Sequence, residues 1–181
     1  TNFKVLPNKD WEERDDLKFV TSTGFYEIVS KVKTNSIPLS NISNSIRGIL
    51  ANKDDISDEK INEHKKLFVG NLYRYEMNSS FNWVKFGPNL KEKPNDYSWF
   101  QSERILIRRL INRQFRIMAC YTNEEFVNKK DIYILKLSDK NINIKYALSL
   151  INSTLFSFLK TKGSTTASKD DFSQLNLSDI R

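Results

Sequence analysis

The stretch ERILIRRLINRQFRIMACY, residues 103–121, decides how this chain is read. Five arginines and one acid, Glu103, sit in a segment that otherwise has the texture of strand. ERILIRRLI (103–111) and QFRIMACY (114–121) form a hairpin-like pair, with Asn112-Arg113 between them. Successive strand side chains point to opposite faces, so Ile105, Ile107 and Arg109 share one side and Arg104, Leu106 and Arg108 the other. Neither face is purely apolar, so at least one is expected to meet solvent or a polyanion. The guanidinium is a planar fork suited to two parallel hydrogen bonds with phosphate or with the acceptor edge of guanine. An ordinary basic sheet surface, salt-bridged to the chain's acids, has the same pattern.

Working outward, KKLFVG (65–70), FNWVKFG (81–87) and DIYILKL (131–137) are aromatic and β-branched runs that predict further strands. With no helical crossover between residues 65 and 137, antiparallel pairing is the economical arrangement. IPLSNISNSIRGIL alternates loosely, and its Gly48 suits a bend or a close backbone approach. FYEIVSKVK (25–33) spaces its apolar residues as one face of a short helix, which Pro38 prevents from continuing. INIKYALSLINSTLFSFLKTKGS (142–164) carries a helical stripe of Ile144, Ala147, Leu148, Ile151, Leu155, Phe158 and Leu159, with Gly163 placed to end it. The fold class read from this order is α+β, a curved, mostly antiparallel sheet with an N-terminal helix and a packed C-terminal helix. Phe68, Phe81, Trp83 and Phe86 are read as core.

The chain has 181 residues, 39% of them hydrophobic, enough for one real core. Its net charge of +7 comes from 29 basic against 22 acidic residues. The acids gather at 10–16 and 54–63, leaving 85–121 basic, so one positive face is expected. No apolar run approaches the roughly 20 residues of a membrane span. Thr1 opens into a polar, acidic stretch without an initiator methionine, which is expected of a piece of a longer protein. Cys120 is the single cysteine, so no internal disulfide is possible and a reducing cytoplasm is the natural expectation.

Several chemistries lack their residues. An adenine methyltransferase needs an Asn/Asp-Pro-Pro-Tyr/Phe loop, but the prolines stand isolated at 7, 38, 88 and 94. Glycine patterns of dinucleotide and P-loop sites are missing. Asp96 with Glu103-Arg104-Ile105 comes nearest to a metal-dependent nuclease motif and lacks its lysine. One cysteine and one histidine, His64, leave no ordinary zinc set, and His64 lies in a polar stretch as a solvated residue would. The chain is read as non-catalytic.

The blocks resemble, in their order, the TaqI-like C-terminal specificity domain of adenine-specific DNA methyltransferases and type II restriction-modification enzymes. SNSIRGILANKDDIS (43–57) is similar to the opening segment of that family, and LFVGNLYRYEMNSSFNWVKFG (67–87) to its next block with an Arg-Tyr pair. ERILIRRL resembles the strand ending in Arg-Arg, ALSLINSTLFSFL the helix carrying Asn-Ser, and SKDDFSQLNLSDIR the approach to the closing segment. The likeness spans Leu39 to Arg181, with residues 1–38 as a connector from an absent catalytic part.

The resemblance implies a sequence-specific double-stranded DNA recognition module. Its partners are then DNA and the methyltransferase domain of the parent protein, with S-adenosylmethionine bound in that missing catalytic domain. An endonuclease function in the parent is also open. Phosphate contacts are expected from Arg47, Lys53, Arg108, Arg113, Lys162 and Ser164, and base or groove reading from Arg74, Tyr75, Arg109 and Arg116. Two alternatives stand beside this: docking onto the methyltransferase or nuclease part with little DNA affinity, and RNA binding, suggested by interleaved aromatic and basic residues.

Overall fold

A computed structural model describes residues 23–164, 167 and 173–180. The described residues fall into two units, divided between Ile37 and Pro38. In the first unit a helix, α1 (Thr23–Thr34), carries Phe25 on its buried side. Its last carbonyls are satisfied by side chains: Thr34 Oγ1, Asn35 Nδ2 and Ser36 Oγ donate to Ser30, Lys31 and Val32. A helix end left with unpaired carbonyls is stabilised in this way.

Among the described residues, the second unit holds ten short strands. In chain order they are β1 (Ser43–Arg47), β2 (Ile56–Ser57), β3 (Lys65–Phe68), β4 (Asn71–Leu72) and β5 (Met77–Asn78). They continue with β6 (Phe81–Val84), β7 (Arg104–Arg108), β8 (Ala119–Thr122), β9 (Val127–Asn128) and β10 (Ile132–Leu137). Three helices follow: α2 (Ile144–Ile151), α3 (Thr154–Gly163) and α4 (Leu177–Ile180). The class is α+β. Pairing is antiparallel except for β3 with β9. The strands divide between one sheet in the order β1-β10-β7-β8, a second in the order β2-β6-β3-β9, and a ribbon of β4 and β5.

Two cores result. Leu106, Cys120, Ile132 and Ile134 of the first sheet pack with Phe68, Val84, Phe100 and Phe126. Ile105, Ile107, Ala119, Tyr133 and Leu135 point the other way, onto Ala147, Leu148 and Ile151 of α2. The central strand β7 is therefore covered on both faces, contrary to the expectation that one face meets solvent. Arg104 shows the consequence: it is 0% exposed, with Nη1 donating to Ser102 O at 2.9 Å and Nη2 to Phe126 O at 3.2 Å. Its guanidinium lies 4.8 Å from the Phe126 ring, and desolvation lowers its pKa to about 10.

Of the four residues read as core, Phe68 is fully buried, Phe81 and Phe86 pack against the first cluster, and Trp83 is half-buried beneath Lys60. His64 is half-buried rather than solvated. The C-terminal helix also departs from its expected form, because it breaks at Asn152-Ser153. Ser153 caps α3 by accepting from Phe156 N at 3.0 Å. The apolar stripe does not cross the break. Leu155 is 48% exposed, and the residues α3 buries are Ser157 and Thr161. No helix among the described residues is long and apolar enough to cross a membrane.

Candidate nucleic-acid interface

The first sheet has two chemically different ends. At one end, β7 begins, β8 finishes and β10 finishes. Here Glu103 accepts from the Tyr121 hydroxyl, and Glu125 accepts from Tyr97 and Gln101. The basic residues at this end have structural work: Lys136 Nζ donates to Ser98 O at 2.6 Å and Gln101 O at 2.8 Å, while Arg104 is buried.

The opposite end is where β1 finishes at Arg47, β7 finishes at Arg108, β10 starts at Ile132 and β8 starts at Ala119. Arg47 pairs with Tyr133, Tyr133 with Ile107, and Ile107 with Ala119, so these residues form one row across the sheet. In the next row Gly48 N donates to Ile132 O and Arg108 N to Met118 O. Four arginines of the opening stretch, Arg108, Arg109, Arg113 and Arg116, thus join Arg47 at this end. Lys129 and Lys130, just before β10, belong there too: Ile49 bridges Lys129, and Lys130 N donates to Ile49 O at 2.9 Å. Gly48 permits this approach. A Cβ there would overlap the backbone oxygens of Asn128 and Lys129.

The connection from β7 to β8, residues 109–118, is longer than the two-residue turn the sequence suggests. Its backbone leaves the sheet to bond other segments. Arg109 N donates to Asp131 O at 2.8 Å, Leu175 N to Arg109 O at 2.9 Å, and Ile111 N to Ser173 O at 2.9 Å. On the return, Ile117 N donates to the buried Ser157 Oγ at 3.1 Å, which explains the polar inner face of α3. Arg116 is braced at both ends, with its N donating to Asn112 Oδ1 at 2.9 Å and Nη1 to Thr154 Oγ1 at 2.8 Å. Arg113 is exposed at the tip. Arg108 is half-buried against Met118, with Nη1 3.9 Å from Sδ. Arg109 is half-buried with Nε unpartnered among the described residues.

Asn152 fastens a third segment to this end. β8 is an edge strand, and Arg108 already pairs with Met118, so ladder alternation turns the peptide groups of Ala119 outward. The Asn152 side-chain amide meets both: Oδ1 accepts from Ala119 N at 3.0 Å and Nδ2 donates to Ala119 O at 2.9 Å. Ala119 O also accepts from Tyr75 N at 2.8 Å, and Asn152 O accepts from Arg74 Nη2 at 2.8 Å. The turn between β4 and β5 is therefore pinned beside the arginine loop. Tyr75 holds a left-handed backbone, φ 70°, and is 53% exposed.

The remaining proposed residues lie apart. Lys53 is exposed in a 3-10 turn that Asp55 ties to Asn89 and Lys85, and no contact draws it to the arginine end. Lys162 is exposed in the last turn of α3, ~12 Å along the helix from Thr154. Ser164 is 5% exposed, its hydroxyl 3.2 Å from Asp179 Oδ2, so it anchors α4 and has no surface to offer a phosphate. Much of the expected lysine and hydroxyl loop at 160–171 lies outside the described residues.

Among the described residues Arg47, Arg108, Arg109, Arg113 and Arg116 form no ion pair, and neither do the neighbouring acids Glu76 and Asp131. Tyr133, whose hydroxyl donates to Leu175 O at 2.7 Å, lies near Arg109 and Arg47. Burial holds its pKa above the ordinary value against their pull. Sequence reasoning missed Phe115, Lys129 and Lys130 as members of this end. Their signal was adjacency to arginine and to a strand start, which has no meaning until strand order is known.

A family model for the TaqI-like C-terminal specificity domain matches residues 65–181. The chain is also 39% identical over 170 residues to a Methanocaldococcus jannaschii protein named as a type II restriction enzyme and methyltransferase. That alignment covers 90% of this chain and 14% of the relative. On both sequence matches, the chain belongs to the TaqI-like C-terminal specificity domain family.

Proposed function

We propose that this chain is the double-stranded DNA recognition module of a restriction-modification adenine methyltransferase, without catalytic residues of its own. The observation that carries this reading is the collection of Arg47, Arg108, Arg109, Arg113 and Arg116 at one sheet end without carboxylate partners among the described residues. Such a surface suits the phosphate backbone, where each neutralised phosphate releases condensed counterions. Arg47, Arg108 and Arg113 are assigned to phosphates that set register, and Arg74, Tyr75, Arg109 and Arg116 to the grooves. Lys53 and Lys162 are outlying phosphate contacts, and Ser164 is withdrawn. Residues 1–38 serve as the connector to the catalytic part, and S-adenosylmethionine belongs to that part. The relative's name supports a methyltransferase parent that also cleaves DNA.

The test is binding to a randomised duplex pool over a salt series, with the bound fraction sequenced at each step. Enrichment of one short motif, with affinity falling steeply in salt, is expected. Salt-insensitive behaviour without enrichment would refute the reading.

Tyr146, Leu150 and Leu155, exposed by 60%, 49% and 48%, favour a second reading, in which α2 and α3 dock on the methyltransferase or nuclease part. Binding of that part that persists at high salt and is lost in Leu150→Asp would favour docking.

A further inference from the structure

Phe115 is left over by the contacts described so far. It is 42% exposed at the tip of the arginine loop, with Arg113 two residues before it and Arg116 immediately after. Its backbone is left-handed, φ 54°, a region that bulky side chains seldom occupy. The tip is nevertheless closed on itself: Phe115 N donates to Asn112 O at 2.9 Å, and Arg116 N to Asn112 Oδ1 at 2.9 Å. Below the tip, Arg116 is held by Thr154 and Ile117 by Ser157. The loop is anchored at its base, and its partly exposed aromatic ring belongs to neither core.

We infer that Phe115 is a wedge that inserts between adjacent base pairs of the bound duplex. This deepens the DNA-recognition reading and rests on it. Proteins that insert apolar side chains at a base step unstack it partially and kink the duplex, and flanking basic residues hold the neighbouring phosphates. The loop has both parts. Phe115 supplies the apolar face, while Arg113 and Arg116 flank it without carboxylate partners among the described residues. A preformed tip also limits the ordering cost of insertion. Tyr75, the other exposed aromatic with a left-handed backbone, is pinned to Ala119 beside the same loop, where it can stack against the opened step.

The experiment uses the full-length protein and duplexes of its selected sequence carrying 2-aminopurine at successive positions. Wild-type protein should raise the fluorescence at one step, reporting lost stacking. Phe115→Ala should abolish that rise and weaken binding about tenfold, in the range measured for base–aromatic contacts. Phe115→Trp should keep both. The residue is exposed, so truncation leaves the cores intact. Salt-sensitive binding with no fluorescence rise, or a rise unchanged in Phe115→Ala, overturns the wedge and leaves DNA recognition standing. Failure of the wild-type protein to bind duplex overturns both.

Discussion

Replacing Asn152 with alanine isolates the side chain that closes the arginine end of the sheet. The residue is fully buried, and its amide bonds both peptide groups of Ala119, at 3.0 and 2.9 Å. Truncation leaves the buried Ala119 N–H without a partner, a desolvation cost of about 1–3 kcal/mol. Ala119 O keeps Tyr75 N, so the second loss is that of an ordinary hydrogen bond, about 0.5–1.5 kcal/mol. The sum, roughly 1.5–4.5 kcal/mol, is a large part of the 5–15 kcal/mol typical of a domain. Urea unfolding followed by tryptophan fluorescence should show a lower midpoint with an unchanged slope. Asn152→Asp adds a sign. Its carboxylate accepts from Ala119 N but faces Ala119 O, so the folded state favours the protonated form and raises the pKa above its unfolded value. The variant's deficit should be smallest below about pH 4, the unfolded pKa, and should grow as pH rises through the folded pKa. A cost under about 0.5 kcal/mol for Asn152→Ala, or an aspartate variant as stable as wild type at neutral pH, would refute the bridging argument.

Arg113→Ala should leave stability within about 0.5 kcal/mol, because the residue is exposed, and should reduce the slope of log K against log salt for duplex binding by about 0.9. Equal slopes for variant and wild type would remove Arg113 from the phosphate contacts. Burial pushes the Cys120 thiol from 9.0 up to about 12. Between those values the unfolded chain loses the proton first, so stability attributable to this group falls with rising pH, and Cys120→Ala should flatten the pH profile there. In native buffer near neutral pH the thiol should resist Ellman's reagent until the protein unfolds. Gly48→Ala forces a Cβ onto the backbone of Asn128 and Lys129 and should cost roughly 1–3 kcal/mol or more, measured by thermal unfolding.

The elements were largely legible in the sequence. KKLFVG, FNWVKFG and DIYILKL became β3, β6 and β10, and the hairpin of 103–121 pairs about Arg113, with Arg104 opposite Thr122 and Ile107 opposite Ala119. Local periodicity and turn residues carry that information. Periodicity alone misled where burial depends on distant segments. The stripe through Leu155 reads as one helix because helical spacing cannot register that Ser153 caps a new start. The burial of Arg104 was not legible because Phe126, which supplies one of its acceptors and the ring beneath its guanidinium, is brought to it only by folding.

By itself the sequence determined the α+β class, the family, the basic character of 103–121 and the absence of a methyltransferase loop within this chain. Those follow from residue identity and short-range pattern. Only the tertiary structure decided which basic residues stand together. Arg47 and Arg109 converge on Tyr133 because β10 lies between β1 and β7, and Arg74 is held at the same end because Asn152 and Ala119 fix its turn. Ser164 leaves the group because it is buried against Asp179, and Phe115 enters because the pairing of β7 with β8 puts its loop at this end and leaves it 42% exposed. Strand order and the pairing of buried peptide groups are long-range facts, set by which arrangement leaves the fewest polar groups unsatisfied.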